Sequence, residues 1–312
     1  MSDINYLQSS STHRDDAVQD STISNREGFE DQHPKVGKQH QETERNPSIH
    51  QQVLPKTTSS IHHFEDSDLI ILEQIREGDY GVMHRAEFKK AYKGYTEVAV
   101  KSINSMTPDY IEMLSRLAHP NIVKMLGICQ FDVIDVVVLE LASRGSLYDY
   151  LRKDEVPIPE KLVRKWLRES AQGIQYLHEN NVIHMDIKSN NCLLFQDDTV
   201  KLDGFSLAAN LNDSYQRTSS KSRTKSTWQN LAPEILKSNE TKVSSYTEDT
   251  DVFSYGMLIF EICTRHSPYE WVTIPATCPK DLSDLMQLCW ETNPEERPTI
   301  DRILKGEQFN IN

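Results

Sequence analysis

Residues 182–208 read VIHMDIKSNNCLLFQDDTVKLDGFSLA, and the fold turns on how this stretch is read. Apolar residues are interleaved with a dense polar set: His184, Asp186, Lys188 and Asn191 in its first half, Asp203 in its second. Val200-Lys201-Leu202 has the two-residue period of a strand. With Val200 and Leu202 facing inward, parity puts Asp203 on the side of Lys201, which predicts a carboxylate directed outward.

The flanking sequence supplies the frame. Before the stretch, Lys161–His178 places Leu162, Trp166, Leu167, Ala171, Ile174 and Leu177 on one face of a helix. After it, Asp251–Thr264 is apolar nearly all round, as a helix at the centre of a domain must be, and Leu282–Trp290 is a further amphipathic helix. Upstream, Leu69–Ile75, Val82–Phe88 and Glu97–Lys101 read as successive strands, and Val136–Leu141 as a more buried one. Strands followed by helices predict an α+β arrangement in two lobes.

The chain has 312 residues, 37% of them hydrophobic, which suits one folded domain and an additional segment. Residues 1–60 are polar and lack any period, so burial there cannot offset the entropy of ordering, and a disordered tail is expected. Histidines in and just after this tail lie mostly far apart, which favours solvated side chains over a metal site. A formal charge of −13 argues against nucleic acid and anionic membranes as partners. The cysteines are an odd five with no CxxC pair, the pattern of reduced thiols in a cytoplasmic or nuclear protein. The first 30 residues hold no apolar stretch, so no secretory leader is expected, and Gly256–Cys263 is too short to span a bilayer.

Short motifs in a fixed order then resemble a eukaryotic protein kinase domain across about Phe64–Leu304. Ile75-Arg76-Glu77-Gly78-Asp79-Tyr80-Gly81-Val82 is similar to the glycine-rich loop over ATP phosphates, where Gly78 and Gly81 let backbone N–H groups approach closely. Val98-Ala99-Val100-Lys101 resembles the strand whose lysine contacts phosphate. Leu139-Glu140-Leu141-Ala142 is similar to the hinge that receives adenine through its backbone, with Leu139 at the gatekeeper position. His184-Met185-Asp186-Ile187-Lys188-Ser189-Asn190-Asn191 resembles the catalytic loop. By that match Asp186 is the base for an acceptor hydroxyl, Lys188 neutralises charge on the moving phosphoryl group, and Asn191 holds a metal ion. Ser226-Thr227-Trp228-Gln229-Asn230-Leu231-Ala232-Pro233-Glu234 resembles the anchor after the activation segment. Its Glu234 would pair with Arg297, and Asp251 would brace the catalytic loop. Cys289-Trp290 with Pro294 and Arg297-Pro298 is similar to the tyrosine-kinase-like group, of mixed-lineage, receptor-interacting and TGF-β-activated type.

The resemblance implies a bilobal kinase-like domain over 61–307, with a small β-rich N-lobe at about 64–140 and a larger helical C-lobe at about 145–307. It also exposes departures. Arg76 stands where the family has its first glycine, Tyr110 where a glutamate orients the lysine, and Met185 where an arginine meets activation-loop phosphate. Gly204-Phe205-Ser206 stands where Asp-Phe-Gly supplies the metal aspartate; Asp203 becomes that ligand only if the motif slides by one position. Seven residues separate Glu270 from Cys278, where relatives carry a substrate-docking helix and its loops. The implied protein is a catalytically impaired kinase-like signalling protein, a scaffold or allosteric partner of other signalling proteins including an active kinase. ATP is the implied nucleotide, and magnesium lacks its aspartate. The alternative is a weak Ser/Thr kinase with a non-standard metal site, transferring the ATP γ-phosphate to protein hydroxyls. A further reading makes residues 1–60 a docking segment.

Overall fold

In the computed structural model, the residues described are 61–78, 81–90, 94–102, 108–131, 134–153, 157–210, 230–236, 246–268 and 274–309. The expected tail at 1–60, Tyr80, the segment 211–225, the anchor residues Ser226 to Gln229 and residues 269–273 of the shortened docking region lie outside them.

The first lobe is one sheet. Its strands are β1 (His63–Phe64), β2 (Leu69–Gly78), β3 (Gly81–Lys90), β4 (Gly94–Ser102), β5 (Met125–Phe131) and β6 (Ile134–Glu140), with helix α1 (Pro108–Arg116) between β4 and β5. Their order is β1-β5-β6-β4-β3-β2, so the sequence-adjacent β2, β3 and β4 form a meander whose other edge is closed by β6. Val98, Val100, Val136 and Val138 are buried on one face, while Ala99, Val137 and Leu139 turn to the other. That alternation places Lys101 on the second face, with Ala99.

The second lobe is built from helices α2 (Leu147–Leu151), α3 (Glu160–Glu179), α4 (Glu248–Thr264), α5 (Lys280–Cys289) and α6 (Ile300–Leu304). Trp166, Leu167, Ile174 and Leu177 of α3 pack with Tyr255, Leu258 and Ile259 of α4, all fully buried. Burial of α4 runs almost unbroken from Thr250 to Ile262, as its apolar circumference predicts. The α+β bilobal reading is therefore what the chain adopts.

Short strands lie over these helices: β7 (Val182–Ile183), β8 (Cys192–Leu194), β9 (Val200–Leu202) and β10 (Ala209–Asn210). β9 is held on both sides. It pairs with β8 in an unbroken antiparallel register, Cys192 with Leu202 and Leu194 with Val200. On its other side the Leu202 N–H donates to the Asn121 carbonyl at 2.9 Å, and the Val123 N–H donates to the Leu202 carbonyl at 2.9 Å. Gly173 of α3 permits this fit, because a β-carbon there would stand 2.8 Å from the Asn121 carbonyl oxygen and 2.9 Å from a Leu202 methyl.

Candidate active site

The catalytic loop is fixed from beneath by one carboxylate. Asp251, wholly buried in α4, accepts from the His184 N–H at 2.8 Å and the Met185 N–H at 2.9 Å, while His178 Nε2 lies 3.0 Å from it. These bonds hold Met185 at φ 63°, a left-handed conformation that costs a non-glycine residue about 1–2 kcal/mol. The bracing expected of Asp251 is therefore present. Glu234 and Arg297 likewise form a two-pronged pair at 2.7 and 2.8 Å around a fully buried guanidinium.

His184 links the catalytic loop to the Asp203 turn. Its Nδ1 accepts from the Asp186 N–H at 3.2 Å, so Nε2 carries the proton and donates to the Asp203 carbonyl at 2.9 Å. Burial holds this imidazole neutral by lowering its pKa, against the pull of Asp251, Asp186 and Asp203. Phe205 packs against its ring, with centroids 4.9 Å apart.

Asp186, Lys188 and Asn191 come together as the sequence suggested. The Lys188 ammonium lies 2.8 Å from Asp186 Oδ1, and Asn191 Nδ2 donates to Asp186 Oδ2 and to its carbonyl, both at 2.7 Å. All three residues are buried. Both carboxylate oxygens are thus held, in an orientation that two separate residues enforce.

Asp203 corrects an expectation. Its parity is as read, but it is buried rather than outward-facing, with 4% exposure. The ladder explains why. Its N–H donates to the Asn191 carbonyl at 2.8 Å, so the strand period continues through it without a bulge. The face it shares with Lys201 packs against the protein instead of solvent: Lys201 donates to both oxygens of Glu140 at 2.8 Å. Burial alone raises the Asp203 pKa, yet Lys101, the Gly204 N–H, Arg76 and His184 together hold it below the ordinary carboxylate value. The Lys101 charge is the largest of these opposing influences on the Asp203 carboxylate. Tyr110 sits in the same nest. Burial and the Asp203 charge raise its phenol pKa, while a hydrogen bond with Ser206 opposes them.

Gly204, read from the sequence as standing at the metal aspartate's position, is left-handed, at φ 88°. A β-carbon there would stand 2.4 Å from Cγ and Nδ2 of Asn191. Asn191 in turn accepts at Oδ1 from Arg76 Nη2 at 3.3 Å, and Arg76 Nη1 donates to the Asn190 carbonyl at 2.7 Å. A magnesium ion held in the family's manner does not fit these residues. One ligand position has no side chain, the other's amide oxygen already faces a guanidinium, and the nearby Asp203 carboxylate is already under the charge of Lys101 and Arg76.

Above this floor lies a cavity of about 420 Å³, within the range of small-molecule sites. Ala99, Val123, Leu139 and Leu193 give it an apolar lining beside hinge residues Glu140, Leu141 and Ala142, and Arg76 lies on its wall. Gly78 and Gly81 face each other at the β2–β3 turn. Sequence reasoning missed Met83, which is buried against the cavity, and the reach of Arg76 across 114 positions to the catalytic loop. The Met83 signal was available, two positions after Gly81 in the glycine motif; the Arg76 contact had none.

A β-sheet lobe, a helical lobe, a cavity beside the segment that joins them and an Asp-x-Lys loop define the protein kinase class. Residues 69–306 match the family described as protein tyrosine and serine/threonine kinase, and the chain belongs to it. Over 276 residues it is 28% identical to mitogen-activated protein kinase kinase kinase 12 of Rattus norvegicus, covering 81% of this chain and 29% of that protein. It is 30% identical to mitogen-activated protein kinase kinase kinase 13-B of Xenopus laevis, covering 75% and 24%, and 31% identical to tyrosine-protein kinase Btk of Drosophila melanogaster, covering 81% and 34%. The chain thus spans about a quarter to a third of the length of these relatives. Among the described residues no helix is long and apolar enough to cross a membrane.

Proposed function

We propose that this kinase-family protein is a signalling pseudokinase of the tyrosine-kinase-like group: it binds ATP in the interlobe cleft, transfers phosphate at a negligible rate, and works by contact with other signalling proteins, an active kinase among them. The observation that carries this reading is Gly204, where neither a carboxylate nor any β-carbon has room beside Asn191. Loss of one preorganised electrostatic group at a reacting centre typically costs about 100–1,000-fold in rate, and here the metal aspartate and the helix glutamate are both replaced. The site residues we assign are Asp186, Lys188, Lys101, Asn191, Gly78, Gly81 and the backbone around Glu140, with Asp203 as the partner of Lys101.

A second reading keeps the chain an enzyme, a weak Ser/Thr kinase. It draws on the Asp186 carboxylate, held by Lys188 and Asn191 in a form ready to accept a hydroxyl proton. Radiolabelled transfer from ATP to a generic protein acceptor, with and without magnesium, separates the two. We expect wild type and Asp186→Ala to give the same background; incorporation lost in Asp186→Ala would establish the enzyme instead.

A further inference from the structure

We infer that Arg76 stands in for the divalent cation, so that the cleft binds the phosphates of a nucleoside triphosphate through a guanidinium and the Lys101 ammonium, without metal. This inference rests on the nucleotide-binding reading above and specifies its chemistry. It begins with position 76, where a glycine would leave the backbone bare and the arginine instead sends its side chain into the cleft. That side chain lines the cavity wall and spans to the catalytic loop, on the Asn190 carbonyl and Asn191 Oδ1. Asn191 cannot turn its oxygen elsewhere, because its Nδ2 is committed to the two Asp186 acceptors. The guanidinium therefore lies against the residue that the family uses to hold a metal.

The electrostatics agree. Arg76, on Asn191 Oδ1, stands one hydrogen bond away from the buried Asp203, whose N–H donates to the Asn191 carbonyl, and the Lys101 charge also acts on that carboxylate. With Lys188 beside Asp186, the floor carries an excess of positive charge before any ion enters. A guanidinium also offers planar, two-pronged donation to phosphate oxygens, and its bonds to neutral carbonyl and amide oxygens are weaker than those it would make to a phosphate. Triphosphate binding thus exchanges two neutral acceptors for charged ones.

The test uses the full chain and fluorescent ATP and adenosine, titrated in excess EDTA and again in magnesium, with wild type, Arg76→Gln and Arg76→Lys. Wild type is expected to bind ATP at least tenfold more tightly than adenosine in EDTA, and within about twofold of that in magnesium. Arg76→Gln is expected to weaken ATP by about tenfold to a hundredfold, the value of charge-assisted bonds to phosphate, and to leave adenosine within about twofold. Arg76→Lys, which keeps the charge without the two-pronged donor, should recover part of the loss. Adenosine binding with ATP no tighter, or with ATP unaffected or tightened in Arg76→Gln, overturns the role of Arg76 and keeps the nucleotide site. A wild type that gains tenfold or more from magnesium likewise overturns it. Failure of both ligands to bind wild type overturns the nucleotide reading itself.

Discussion

Replacing Gly204 with alanine isolates the steric half of the argument. The added β-carbon would lie 2.4 Å from two atoms of the Asn191 amide, so either Asn191 leaves Asp186 or the turn moves. Displacing Asn191 breaks two hydrogen bonds of 2.7 Å, one to a carboxylate, each contributing on the order of 1–2 kcal/mol in a buried setting. Holding alanine at φ 88° adds about 1–2 kcal/mol. The sum is about 3–6 kcal/mol, a large fraction of the 5–15 kcal/mol typical of a domain. Urea denaturation reads it as a lower midpoint at unchanged slope. Gly204→Asp, which restores the family's letter, should lose as much stability and gain no magnesium-dependent phosphoryl transfer, because its carboxylate has no place beside Asn191. Gly204→Ala within about 0.5 kcal/mol of wild type, or Gly204→Asp acquiring transfer at full stability, would refute the reasoning.

Asp203→Asn should flatten the acid limb of the stability–pH curve. A carboxyl whose folded pKa lies below its unfolded value near 3.8 contributes stability that is complete above that value and lost as pH falls through the folded one; an unaltered limb would show that Asp203 is no counter-charge. His84 is buried in β3 with neither ring nitrogen hydrogen-bonded among the described residues, and burial lowers its pKa. The wild type should therefore lose stability as pH falls below about 6.5, and His84→Leu should be more stable by roughly 1–3 kcal/mol, the desolvation cost of an unpaired polar group, and lack that pH dependence; chemical denaturation at pH 5 and 8 compares them. Arg297→Ala should cost about 3–5 kcal/mol by leaving Glu234 without its partner, read as a fall in the urea midpoint.

Much of the fold was legible because the signals are local. The periods of α3 and α4 and the strand sequence β2–β3–β4 follow from neighbouring residues, and the structure has them close to the expected bounds. β5 escaped notice: Met125-Leu126-Gly127-Ile128-Cys129-Gln130-Phe131 mixes a glycine and a cysteine into an imperfect alternation, and its place is settled by pairing with β1 and β6. Asp203 shows the limit of parity. Alternation tells which side chains share a face, but only the tertiary fold tells whether that face meets water, and here Asp203 is buried within the charge of Lys101 and Arg76. Arg76 makes the same point across the cleft. As a letter it is a bulky substitute for glycine; its contact with Asn190 and Asn191 exists only once the two lobes are assembled.

On the function proposed above, this cleft takes nucleotide without a metal and does little with it. Thermal melting of the full chain with ATP, across magnesium concentrations from excess EDTA upward, tests it most directly. At about a hundred times Kd a ligand adds roughly 2.7 kcal/mol of stability, a rise of several degrees for a domain of this size. The rise is expected in full in EDTA, with no growth as magnesium is added; a rise that appears only with magnesium would show that the cleft takes nucleotide through a metal.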